Sequence, residues 1–139
     1  MRNMAGIDVV TSRSRQYKDL SLTMGLNPVT NDVIALTGAD AVRRSIRNLL
    51  SIMPGEVPFL PNFGCSLRAL LFEPIDAITT AQIEQEIRAT IDAYEPRVTI
   101  HTLVVTPSVD ELKYQVDVTF LLVNLPEPIT LTLFLTRLR

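Results

Sequence analysis

The hydrophobic pattern of the chain changes its period at Pro96, and this change limits the folds that the sequence can adopt. After Pro96, apolar residues alternate with polar ones, which is typical of strands with one buried face. The connections between the alternating segments are short, so we expect antiparallel neighbours and a three-stranded β-meander. The predicted strands span about residues 97–106, 112–123 and 129–136, with Pro107 ending the first and the NLPEP segment forming the last turn.

Before Pro96, apolar residues recur at helical spacing and predict three helices. Thr37 with Asp40, and Thr79 with Gln82, resemble capping boxes at the starts of the two longer helices. Ser66 is a candidate cap for the short helix between them. The predicted helices span about residues 38–53, 66–73 and 80–94.

These elements predict an α+β fold, in which the two longer helices and the short helix cover the apolar face of the meander. Residues 1–19 are polar and have no sustained period, so we interpret them as a flexible, extended N-terminal arm. The length of 139 residues suits one core, and we predict a single domain over residues 20–139.

Composition and charge exclude several classes of protein. Hydrophobic residues make up 47% and charged residues 20% of the chain, which is typical of a globular protein. A net charge of -2 argues against nucleic acid as a partner. The most apolar region is interrupted by Asn124, Pro126 and Glu127, which argues against membrane insertion. The single cysteine, Cys65, cannot form an internal disulfide and favours a reducing compartment.

The sequence offers few groups for catalysis or metal binding. It has one histidine, His101, one cysteine and no phosphate-binding loop, so we expect no metal, cofactor or nucleophile site. Glu73 and Glu95 both end predicted helices and could flank a glycosidic bond as acid and base. Because a pair of acids is a weak signal and tryptophan is absent, glycosidase activity is only the alternative function.

Two groups of charged residues are candidates for contacts with a partner. Arg43, Arg44 and Arg47 lie on the polar face of the first long helix, and form either a solvated surface or a contact with an acidic partner. The other group is the segment 95–97, Glu-Pro-Arg, at the junction of helix and strand. Pro96 lacks a backbone N–H and ends the helix near Tyr94, but a helix end requires neither the glutamate nor the arginine.

Three motifs follow one another along the chain: the Phe-Gly loop at 63–64, the Leu-Leu-Phe-Glu segment at 70–73 and the Glu-Pro-Arg tripeptide at 95–97. Their order and spacing resemble those of the baseplate wedge protein family of contractile-tailed bacteriophages, which has relatives in type VI secretion baseplates. The resemblance covers about residues 17–125. One departure is Val57, where relatives often carry a basic residue, so a contact made there is in doubt.

The resemblance implies a structural protein of the virion rather than an enzyme. It implies a place in a six-fold baseplate assembled in the host cytoplasm, with wedge proteins, tail sheath and, as a further candidate, tail tube as partners. Glu95, Pro96 and Arg97 are then expected to face partner helices, with bracing inside the domain as the alternative. Because some relatives carry a lysozyme label, the glycosidase alternative stays open.

The last predicted strand, in the sequence PITLTLFLTRLR, has few features that protect an exposed edge. Charges occur only at its end, at Arg137 and Arg139, after the run that contains Thr130, Thr132 and Phe134. We expect this edge to pair with a strand of the sheath subunit, or to exchange with neighbouring subunits together with the N-terminal arm. The alternative is that the N-terminal arm of the same chain covers it.

Overall fold

The computed structural model describes residues 18–20, 24–123 and 125–137. Of the predicted N-terminal arm, residues 1–17 lie outside the described part, and Lys18 and Asp19 belong to the first strand. The elements in chain order are β1 (Lys18–Leu20), β2 (Ala35–Thr37), α1 (Ala39–Ser51), α2 (Leu67–Leu70), α3 (Ala77–Tyr94), β3 (Val98–Ser108), β4 (Lys113–Leu122) and β5 (Leu125–Thr136). No helix in the described ranges is long and apolar enough to cross a membrane.

The C-terminal half forms the predicted antiparallel meander, with strand order β3-β4-β5, and confirms the α+β class. Val118 at its centre pairs with Leu103 on one side and Leu131 on the other, so all three side chains reach the buried face. A register shift beside His101 marks the one irregularity between β3 and β4.

Two boundaries of the predicted strands are wrong, and both involve proline. β3 continues through Pro107 to Ser108, and β5 already begins at Leu125, so residues 125–128 of the predicted turn are part of the strand. In the described sheet, β3 and β5 are the outer strands. An outer strand tolerates proline at positions where the backbone N–H would point away from the sheet, because no hydrogen bond to a neighbouring strand is lost there.

The two long helices are confirmed, but their starts differ from the prediction. The side chain of Asp76 accepts a hydrogen bond of 2.7 Å from the backbone N–H of Thr79, so α3 begins three residues early. α1 starts after Gly38, whose φ of 60° suits glycine, and no side chain caps it. Asp40 instead forms an ion pair with Arg43, so the predicted capping box is wrong.

The predicted short helix at 66–73 is only a single turn, α2. Ser66 precedes it without a side-chain capping bond, and its backbone N–H donates to the Glu86 carboxylate at 2.9 Å. β1 and β2 pair in a short two-stranded antiparallel sheet. The boundary of the predicted domain at residue 20 stays a prediction.

One apolar core joins the helices to the meander. The fully buried isoleucines of α3 and the stripe of α1 pack over the inner face of the sheet, where Tyr114 and Phe120 are the largest side chains. Burial of each aliphatic side chain contributes about 1.5–3 kcal/mol. The main residues are Val42, Ile46, Leu50, Ile83, Ile87, Ile91, Tyr114, Val116, Val118 and Phe120.

The loop at 52–66, which joins α1 to α2, is fixed to the end of α3. Its ends meet where the Cys65 N–H donates to the Ile52 carbonyl at 2.8 Å. The Tyr94 hydroxyl donates to the Asn62 carbonyl at 2.5 Å, and the ring of Phe63 meets the Tyr94 ring edge-on at 5.0 Å. The family-like motif at 63–64 therefore anchors the loop.

Gly64 is the position where this loop tolerates a side chain least. Its φ is +122°, and a Cβ would stand 2.6 Å from the Ile52 carbonyl oxygen. We expect Gly64→Ala to destabilise the protein by about 2–4 kcal/mol, measured by denaturant unfolding. Gly55→Ala is the matched control, because Gly55 has φ +86° but open space around it, and about 1–2 kcal/mol is expected. Equal losses for the two variants would contradict the proposed packing at Gly64.

Candidate partner-binding site

Glu95 lies at the junction of α3 and β3, and its carboxylate is buried, with 3% of its side chain exposed. Arg97 donates to both carboxylate oxygens, through Nε to Oε1 and through Nη2 to Oε2 at 2.6 Å. Ser45 of α1 donates from Oγ to Oε2 at 2.6 Å and accepts from Arg97 Nη2 at 3.2 Å. We call these three residues the brace.

The brace fastens α1 to the point where the chain leaves α3 and enters the sheet. The Val98 N–H donates to the Glu95 carbonyl at 3.2 Å, so the backbone turns sharply around Pro96 and places Arg97 over the carboxylate. A planar guanidinium fork fits a carboxylate in this geometry. The structure thus shows the Arg97 guanidinium in an intramolecular contact, which is the bracing inside the domain that was predicted as the alternative. The side chain of Arg97 is 35% exposed, and contact with a partner stays a prediction.

The pKa of Glu95 fits a charged carboxylate that stabilises the fold. Burial raises the pKa of its carboxyl, but the hydrogen bonds from Arg97 and Ser45 and the Arg97 charge outweigh burial and lower the pKa below its ordinary value. A general acid needs a raised pKa and access to substrate. Glu73, its supposed partner, lies exposed in the turn after α2. The geometry therefore does not favour the glycosidase alternative.

The three candidate arginines of α1 line a surface concavity of about 350 Å³ together with Leu36, Asp40 and Asn48. Arg43 forms a half-exposed ion pair with Asp40 at 3.2 Å. Within the described part of the chain, Arg44 and Arg47 form no ion pair. Two of the three cations are thus available to an acidic partner surface.

Thr132 and Phe134 line a second concavity, of about 380 Å³, between β5 and the end of α1. It is lined by four consecutive β5 residues, 132–135. Because successive side chains of a strand point to opposite faces, four consecutive residues can line one concavity only along the edge of the strand. Arg47 lines this groove and the arginine concavity, so the two are neighbours.

Thr130 lies outside this groove, although it is exposed like Thr132 and Phe134. Its hydroxyl and that of Thr119 on β4 are 3.2 Å apart, while the Thr132 hydroxyl donates to Asp117 at 2.6 Å. The arginines of α1 thus lie beside two of the three β5 candidates, Thr132 and Phe134. The segment 95–97 lies apart from these two concavities, at the brace.

Sequence reasoning missed Ser45, which completes the brace from a position 50 residues before Glu95. Its only signal is its place beside the apolar stripe of α1, where a polar side chain can turn toward the core. The bond from Tyr94 to the Asn62 carbonyl was also missed, because a backbone acceptor leaves no trace in residue type. No cluster of metal-binding residues occurs among residues 18–20, 24–123 and 125–137.

A family model described as baseplate wedge protein gp25 matches residues 36–127, which is most of the described chain. The chain belongs to this family. A curated relative, the baseplate wedge protein gp25 of Enterobacteria phage T4, is 28% identical over 116 residues, which cover 84% of this chain and 87% of the relative. The matched region contains α1, the anchored loop and the brace, whereas most of β5 lies beyond it.

Solved structures share the fold of this baseplate wedge family member. A chain of the six-fold symmetrised baseplate of the anti-feeding prophage has a TM-score of 0.69 and 25% identity, covering 81% of this chain and 90% of that one. A protein of Geobacter sulfurreducens, solved under the description of a tail lysozyme, has a TM-score of 0.70 and 23% identity, covering 76% and 97%. The second likeness shows the fold alone.

Removal of Arg97 should destabilise the protein, because it leaves a buried carboxylate with Ser45 as its main partner. We expect Arg97→Ala to lower the free energy of unfolding by about 2–3 kcal/mol, less than for a fully buried pair because the Arg97 side chain is 35% exposed. The matched control is Arg88→Ala, which breaks an exposed pair with Glu84 and should change stability by less than about 0.5 kcal/mol. An Arg97→Ala effect as small as the control would show that the brace is not structural.

The pH dependence of stability should report the lowered pKa of Glu95. In acid, the unfolded state binds a proton to this carboxyl before the folded state does, so stability present above the unfolded pKa, about 4.3, is lost as the pH falls through the lower folded value. Thermal unfolding between about pH 3 and 6 should therefore show a smaller loss for Glu95→Gln than for the wild type. Parallel profiles would contradict a lowered pKa at Glu95.

Proposed function

We propose that this baseplate wedge family member is a non-enzymatic scaffold with two docking surfaces, one for neighbouring wedge proteins and one for the tail sheath. The groove along the open edge of β5 is the observation that carries the proposal. We place the protein in the tail baseplate of the virion, in a six-fold assembly of different proteins formed in the host cytoplasm, with tail tube proteins as further candidate neighbours.

The wedge surface is formed by the arginines of α1 and by the exposed part of the brace. Arg44 and Arg47 lack ion-pair partners in the described chain, and the side chain of Arg97 is partly exposed. Acidic side chains and the carbonyl ends of helices complement such a surface. Because Ser45 ties α1 to the brace, both parts of this surface are held in one fixed arrangement.

The sheath surface is the β5 groove. On its far side, the described sheet has no strand beside β5, and α1 contributes Arg47, Leu50 and Ser51 as the opposite wall. A strand from a sheath subunit can add to such an edge through main-chain hydrogen bonds, each contributing about 0.5–1.5 kcal/mol. This mode tolerates changes of side chain in the partner, which suits a platform on which a polymer starts.

The glycosidase alternative gains little from the structure. Glu95 is bound on both oxygens, is buried and has a lowered pKa, so it holds no proton to donate at neutral pH. The likeness to the Geobacter protein lies below the identity at which an activity can be transferred. We therefore propose a structural role alone.

Thr132→Pro tests the β5 edge. Proline removes the backbone N–H, so we expect baseplates that contain the variant to form but to start little or no sheath, as counted by electron microscopy. The matched control is Thr132→Val, which keeps the N–H and the branched shape while removing the hydroxyl bond to Asp117.

The folded state of each variant is checked by circular dichroism and thermal unfolding. If Thr132→Pro does not fold, Phe134→Lys places a charge on the same groove without changing the backbone, and should also block sheath. Normal sheath growth on folded baseplates of either variant would show that this edge does not start the sheath.

A further inference from the structure

Phe59 is an anomaly on the surface of the described chain. Its side chain is 100% exposed, and that of the adjacent Leu60 is 55% exposed. Its backbone has φ of 68°, in the left-handed region that bulky residues rarely adopt. Both features are unfavourable in water, and no packing within the described residues compensates for them.

The loop around Phe59 is held in place on both sides. The Leu60 N–H donates to the Val57 carbonyl at 3.3 Å, and the Phe63 N–H donates to the Leu60 carbonyl at 3.1 Å. Further along, Asn62 and Phe63 are fixed to α3 through Tyr94. A side chain presented by a fixed loop loses little conformational freedom on binding, which is the condition for a strong anchor.

The loop also connects the two parts of the proposed wedge surface. It leaves the end of α1, which carries Arg44 and Arg47, and it is fixed to Tyr94, the residue before the brace. At its base, Arg68 Nη1 lies 3.4 Å from the Met53 sulfur, and the Glu56 carboxylate accepts from the Met53 N–H at 3.0 Å. The loop thus joins an exposed aromatic side chain to the cationic face of α1, and such a surface complements an apolar pocket with acidic groups at its rim.

We propose that Phe59 is the hydrophobic anchor of the wedge surface and inserts into an apolar, acidic-rimmed pocket of a neighbouring wedge protein. This rests on the proposed function and extends it, since the arginines and the brace alone supply only polar contacts. A single projecting aromatic side chain needs a concave site to become buried, and aromatic residues dominate the energy of many interfaces.

Photo-crosslinking in the assembled particle identifies the occupant. Phe59 is replaced by p-benzoylphenylalanine, baseplates are purified from the producing host, and the crosslinked protein is identified by mass spectrometry. The expected product joins this chain to a neighbouring wedge protein. The control is the same replacement at Val29, which is 89% exposed in a different segment and should give no such product.

The outcomes separate this inference from the proposed function. Absence of the chain from purified baseplates overturns both. If the chain is present, crosslinks to sheath, to a second copy or to the chain's own N-terminal residues overturn the anchor alone. An irradiated sample without any product at Phe59 also overturns it, because a buried anchor lies within reach of its pocket.

A second experiment uses Phe59→Gly. Glycine adopts the backbone conformation of Phe59 freely, so the melting temperature should stay within a few degrees of the wild type, while incorporation into baseplates should fall roughly tenfold or more. Val29→Ala is the control and should leave incorporation unchanged. Full incorporation of folded Phe59→Gly would show that Phe59 anchors nothing.

Discussion

Burial of the Glu95 carboxylate obliges the surrounding chain to supply hydrogen-bond donors, since an unpaired buried charge costs several kcal/mol. Arg97 reaches both oxygens only because Pro96 and the turn closed by Val98 bring it back over the end of α3. Ser45 completes the set from α1, so the same carboxylate fixes the relative position of the two long helices and the first strand of the meander. The brace thus acts together with the apolar core, which also holds α1 against the sheet.

The outer edge of β5 contrasts with the fully paired Glu95 carboxylate, because the described sheet has no strand beside this edge to pair with its backbone groups. Soluble proteins usually protect such an edge with charge, proline or a covering element. Here Pro126 and Pro128 occur near the start of the strand, while residues 132–135 face a groove whose other wall is α1. A wall on one side leaves less room for another sheet to stack along this edge than a fully open edge would.

The sequence predicted the elements whose signal is periodic. The alternation after Pro96 and the stripes of α1 and α3 located the meander and both long helices, since burial of one face imposes the period. Local chemistry was less predictable. Asp76, rather than Thr79, caps α3, because either residue suits a cap and only the direction of the chain decides between them. The brace was predicted only as an alternative, and Ser45 was not predicted, because a contact across 50 residues has no local pattern. The groove depends on the approach of α1 to β5, which no single segment encodes.

In this protein, residues that are fixed by contacts lie close in sequence to residues that are exposed and could bind a partner. At the loop, Asn62 and Phe63 are fixed to Tyr94, while Phe59 projects into solvent. At the brace, Glu95 is buried and the side chain of Arg97 is partly exposed. Because fixed neighbours hold both exposed side chains in place, binding to them would lose little conformational entropy. For the proposed scaffold, fixed positions of the binding groups matter more than a high affinity for any one partner. The proposed scaffold can therefore be small and still set the angles at which its partners join it.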